Sequence, residues 1–153
     1  MTPDEMERHF PNLASAGYAV TSEQAASYNC LAWALGDTQH WWEPINYPFG
    51  YYWPRRAPRD NTVQAWTVVF QLYGFELCDT ADLEPDYEKV AIYALPDGTP
   101  GHAALQLADG TWTSKLGRDE DISHRTLSAL EGDEYGTVVR FLRRFRATAA
   151  GPS

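Results

Sequence analysis

The chain is poor in the residues that would place it in several large functional classes. It has only two cysteines, Cys30 and Cys78, in unlike surroundings, which argues against a disulfide scaffold. Basic residues are scarce: 12 Lys and Arg stand against 21 Asp and Glu, a net charge of −9. General binding to nucleic acid needs a basic face and is not expected. No apolar run is long enough to cross a bilayer. The start, Met1-Thr2-Pro3-Asp4-Glu5-Met6-Glu7, is acidic where a secretory signal is basic and then apolar. The sequence as written therefore predicts a cytoplasmic protein, or a domain delivered as an effector by a route it does not encode. Neither a membrane nor nucleic acid is an expected partner.

Hydrophobic residues make up 44 % of the 153 positions, enough for one folded domain, expected over residues 1–146 with a flexible tail at 147–153. Aromatic residues are dense, with six Trp and nine Tyr. They crowd the segment from Trp41 to Trp53, and four prolines between Pro44 and Pro58 forbid a regular helix or a central strand there. A long ordered loop over 37–60 is the expectation. Such a loop is either packed by its own side chains or functional. In the functional case Trp41, Trp42, Tyr51, Tyr52 and Trp53 would stack on a sugar or peptide while Arg55, Arg56 and Arg59 grip an anionic group.

The order of elements runs from helices to strands. Thr2 and Glu5 have the spacing of a capping box, which predicts a helix over 3–9. Residues 22–28 read as another helical turn, and Asn29 as the N-cap of a helix from Cys30 to Leu35, closed by Gly36. Asn61 reads as the cap of a further helix carrying Val63, Trp66, Val69, Phe70 and Tyr73 at helical spacing. Strands are expected at Val90–Leu95, His102–Leu107, Thr111–Lys115 and Thr137–Leu142, the last at a sheet edge because of its arginines. Asp109-Gly110 is a hairpin turn, and 121–130 a loop with one helical turn. Helices followed by an antiparallel meander predict an α+β domain.

The residues that carry chemistry are a cysteine at a helix start and a histidine at a strand start. A thiol in the first helical turn feels unpaired N–H groups that favour thiolate, and a nearby imidazole can serve it as base. Each also has a structural reading. Cysteine is often a small buried hydrophobe, and strand histidines often cap a sheet edge. His9, His40 and His124 show no ligand spacing with the cysteines, so no metal or other cofactor is expected.

Asn29-Cys30-Leu31-Ala32-Trp33-Ala34, Lys89–Leu95, His102–Leu107, Asp109-Gly110 and Trp112-Thr113-Ser114 together resemble the papain-like cysteine hydrolases of the NlpC type, the cell-wall peptidase and amidase branch. The resemblance covers 28–36 and 88–116. It implies a papain-like fold with N-terminal helices packed on an antiparallel sheet, Cys30 as nucleophile and His102 as general base. It places a third polar residue near Ser114, where family members usually carry His, Asn or an acid. Asp121, Asp109 and His124 stay open for that role. Tyr28 and Asn29 lie just upstream and would reach the same cavity; Lys115 would bind a substrate carboxylate or sit in water, with water slightly favoured. The implied activity is hydrolysis of amide bonds through a thioester, on a peptide or peptidoglycan fragment. Two rivals keep the same framework: a glutamine deamidase or transglutaminase-like modifier of a target protein, and a non-catalytic papain-like module that binds through its aromatic loop.

Overall fold

The computed structural model describes residues 1–44 and 51–146. The expected tail and the centre of the aromatic loop, with Tyr47, Pro48 and Phe49, lie outside the described residues. Helix α1 (Pro3–His9) begins at a capping box: Thr2 accepts from the Glu5 N–H and Glu5 accepts from the Thr2 N–H. It is followed by α2 (Leu13–Ala16), β1 (Tyr18–Ser22), α3 (Cys30–Ala34) and α4 (Val63–Leu72). Then come β2 (Glu76–Cys78), β3 (Tyr87–Ala94), β4 (Pro100–Gln106), β5 (Trp112–Lys115) and β6 (Asp121–His124). A 3-10 turn at Leu127–Leu130 and β7 (Thr137–Phe145) complete the fold. The strands form one sheet in the order β1-β6-β5-β4-β3-β7-β2, with every pairing antiparallel. The α+β class is thus observed. No helix among the described residues is long and apolar enough to cross a membrane.

Successive side chains of a strand point to opposite faces, so a strand covered on both sides is apolar throughout. Strand β3 is such a strand. Val90 and Ile92 pack with Leu31, Val69, Phe70 and Ala103 on the face of α3 and α4. Ala91 and Tyr93 pack with Met6, Phe10, Leu13 and Ala104 on the face of α1 and α2. Helices therefore cover both sides of the sheet.

Several expectations are corrected. Residues 22–28 hold no helical turn: Ser22 ends β1 and 23–28 are irregular. The cap of α4 is Thr62, whose side chain accepts from the Ala65 N–H, while Asn61 accepts from the indole N–H of Trp66 instead. The stretch 121–130 contains a strand before its helical turn. Strand β7 lies between β3 and β2 rather than at an edge. Its arginines are held rather than free in solvent: Arg143 bonds Glu76 and Glu84, and Arg144 donates to Glu88 at 2.7 Å. The true edges, β1 and β2, bury almost nothing, so they leave no apolar signature in the sequence.

Two glycines set the geometry beside β4. Gly136 has φ +79°, and a Cβ there would lie 1.8 Å from the carbonyl oxygen of Ala94. A Cβ on Gly101 would lie 2.4 Å from the carbonyl oxygen of Tyr135. Only hydrogen fits at either place, and the close approach seats Tyr135 against the start of β4.

Candidate active site

Helix α3 begins where its sequence requires. Asn29 caps it by accepting from the Ala32 N–H at 3.2 Å, and the same side chain donates to the Trp42 carbonyl at 2.8 Å. One asparagine thereby fixes both the helix that starts with Cys30 and the strand-like stretch at Trp42. Gly36, at φ +79°, follows the helix end.

Strand β5 pairs with β4 only at Leu105–Thr113 and Gln106–Trp112. The first half of β4 therefore has no strand on that side, and helix α3, which begins with Cys30, packs against β4. Ala103 belongs to the α3 face, whereas its neighbour His102 meets Tyr93 on the opposite one. A cavity of about 220 Å³ reaches both residues by opening past the start of β4, at Pro100 and Gly101. Asn29, Trp41, Trp42, Glu43, Trp66 and Tyr135 also line it. A larger, open depression of about 520 Å³ along β1 contains neither cysteine nor histidine.

Electrostatics reverse the expectation of a ready thiolate. Cys30 keeps partial contact with solvent as a residue. The atoms crowded around its sulfur nevertheless push the thiol up to about 11, against the opposing backbone N–H groups of Ala103, Leu31 and Cys30. A helix of five residues offers too little dipole to offset that burial. His102 is fully buried, and neither ring nitrogen has a hydrogen-bond partner. Burial holds its pKa well below the usual imidazole range, with His124 adding to the effect. Both groups rest neutral, and no hydrogen bond joins them.

The other nominated residues separate into two groups. Asn29, Trp41 and Trp42 line the cavity, with the Trp41 indole N–H donating to Glu43 at 3.1 Å. Tyr28, Trp53, Arg55, Ser114, Lys115 and Asp121 do not line it. Trp53 is a core residue whose indole N–H donates to the Pro58 carbonyl, and Arg55 sits exposed on a turn. Ser114 pairs with His124 at 2.8 Å, not with His102. Asp121 is buried and accepts from Thr21, Ser22 and Tyr28. Asp109 is spent in its hairpin turn, accepting from Thr111. Lys115, expected in water, is completely buried; it donates to the carbonyls of Ala25 and Gly117 and lies over the Tyr28 ring at 4.9 Å. Sequence reasoning missed Glu43, Trp66 and Tyr135. Only the cluster of aromatics around Trp41 hinted at the first, and nothing local marked Tyr135.

Fold and site define an α+β domain in which a helix-start cysteine and a strand-start histidine line one aromatic-walled cavity. Residues 19–143 match the family described as "Domain of unknown function (DUF7689)", and the chain belongs to it. No curated protein and no solved structure matches the chain.

Proposed function

We propose that the protein is a cysteine hydrolase acting on amide bonds, with Cys30 as nucleophile and His102 as general base. One observation carries the reading: Cys30 and His102 line the same cavity, and the fully buried imidazole has no hydrogen-bond partner on either nitrogen. A buried polar group without a partner costs free energy, and such a cost is commonly tolerated where the group has chemical work. The resemblance to the NlpC-type papain-like hydrolases makes peptide bonds of cell-wall fragments the first substrates to try.

Because both groups rest neutral, His102 takes the thiol proton as sulfur attacks the carbonyl, not beforehand. The sulfur–carbon bond forms, the carbon–nitrogen bond breaks, and His102 returns the proton to the departing amine. Water then hydrolyses the thioester, releasing the acid and restoring the thiol. The backbone N–H of Cys30, in the first turn of α3, would stabilise the charge gathering on the carbonyl oxygen.

The test is mass-spectrometric trapping of an acyl group on Cys30 from an activated peptide ester, followed by screening of muropeptides. An adduct that forms in wild type and is lost in Cys30→Ser and His102→Ala supports the reading. No adduct in wild type, with muropeptides intact, sinks it. Ammonia released from a glutamine donor would redirect the same chemistry to protein modification. The raised thiol and the lack of a polar partner for His102 favour one alternative, a binding module that uses the cavity without catalysis.

A further inference from the structure

Cysteine–histidine hydrolases generally need the imidazole held at a fixed angle, a task ordinarily given to a hydrogen bond on its second nitrogen. No side chain among the described residues supplies that bond here, since both nitrogens of His102 are free and Ser114 is committed to His124. What His102 does have is ring contact on two sides. The Tyr135 ring lies parallel to it, 2° between planes and 4.2 Å between centroids. The Tyr93 ring meets it edgewise at 5.3 Å and 63°.

Each of these rings is itself fixed. The Tyr93 hydroxyl donates to the Leu127 carbonyl at 2.7 Å. Tyr135 is backed by the Phe10 ring at 5.0 Å, and its carbonyl is pressed against Gly101, one residue before the histidine. Tyr135 also lines the cavity that holds Cys30.

We infer that an aromatic clamp replaces the polar third residue: Tyr135, with Tyr93, holds the His102 ring in the position from which it serves Cys30. This rests on the hydrolase reading given above. Stacking fixes the plane of the ring without occupying either nitrogen. One nitrogen is then left to exchange the proton with Cys30, and no partner fixes which tautomer is present. Tyr135 is accordingly a positioning residue, acting through its ring rather than its hydroxyl. The titratable groups that face the imidazole are Tyr93 from β3, Tyr135 from the turn before β7 and His124 from β6, while Cys30 from α3 lines the same cavity.

The experiment compares Tyr135→Phe with Tyr135→Leu in the whole chain, with Cys78→Ser removing the second thiol. Two readouts are taken: the NMR titration of the His102 ring protons, and the rate of Cys30 acylation by a peptide p-nitrophenyl ester across pH. The phenylalanine variant should match the parent in both. The leucine variant should lose up to roughly a hundredfold in acylation, as a base misplaced by about 1 Å does, and its His102 resonance should move and titrate closer to an ordinary imidazole. Equal behaviour of all three overturns the clamp, and so does a phenylalanine variant as impaired as the leucine one. If Tyr135→Leu fails to fold, Tyr135→Met is read in its place. Should His102→Ala leave acylation unchanged, the hydrolase reading falls, while the NMR titration still decides whether the ring of Tyr135 holds the histidine.

Discussion

The hydroxyl of Ser114 donates to Nε2 of His124 at 2.8 Å, because the other ring nitrogen, Nδ1, faces the Thr126 carbonyl at 2.8 Å and must carry the proton. The histidine is thereby fixed as a neutral tautomer, and its burial lowers its pKa to about 4. Unfolded, it titrates near 6.5. The unfolded chain thus binds a proton that the folded one refuses, so stability is complete above about pH 6.5 and is lost as pH falls towards 4. The gap between the two values corresponds to roughly 3 kcal/mol for this residue. Denaturant midpoints should fall across that window, and His124→Gln should flatten the decline. A midpoint that is constant from pH 7 to pH 4.5 would contradict the buried neutral assignment.

Cys30 should behave as an unactivated thiol when no substrate is bound. In Cys78→Ser protein, alkylation by iodoacetamide should be slow at pH 7 and climb steadily towards pH 11, with no shoulder below pH 8. A plateau near pH 6 would mean that a thiolate–imidazolium pair exists at rest, against the buried geometry.

Glu43 is the one charged side chain lining the cavity among the described residues, and no Lys, Arg or His pairs with it. The residues outside the description, 45–50 and 147–153, contain no basic side chain that could do so. A methanethiosulfonate carrying an ammonium should therefore modify Cys30 faster than one carrying a sulfonate, by a factor of several at low salt. Glu43→Gln should bring the two rates together. Equal rates in the wild type would show that the carboxylate does not govern entry.

Asn29→Ala removes the cap of α3 and both of its bonds to Trp42 at once. A lost cap alone costs about 1 kcal/mol, and the stranded Trp42 carbonyl adds a comparable amount. Unfolding free energy should drop by roughly 2 kcal/mol, and Trp fluorescence should report a loosened Trp42. Asn29→Asp retains the acceptor for the Ala32 N–H but not the donor to Trp42, and should recover about half of the loss. A variant as stable as wild type would show that the loop is held by other contacts.

The parts of this fold that sequence made legible are those whose signals are local. The Thr2 capping box, the Asn29 cap and the buried run of β3 each occupy a few adjacent residues and recur where they were read. The edge strands were hidden because Tyr18–Ser22 and Glu76–Cys78 bury too little to need an apolar pattern. Element order singles out Cys30 and His102, which line one cavity, but their surroundings leave no local signal. The distance from Tyr135 to His102 in sequence, and the dependence of their contact on a glycine at 101, leave no periodic trace. Lys115 was misread for a similar reason: a lysine before a glycine turn looks solvent-bound until Tyr28 and Ala25 are folded over it.

Both lysines of the chain, Lys89 and Lys115, are completely buried and bonded at their ammonium groups. All positive charge that other molecules meet on the described side chains comes from arginine and, at low pH, histidine. Amine-directed chemistry, whether a cross-linker, an acylating label or enzymatic conjugation to a lysine, should therefore find the folded protein almost blank. The amine of Met1 is itself held by Glu120 at 3.0 Å. A surge of lysine labelling would then serve as a direct clock for the opening of the fold.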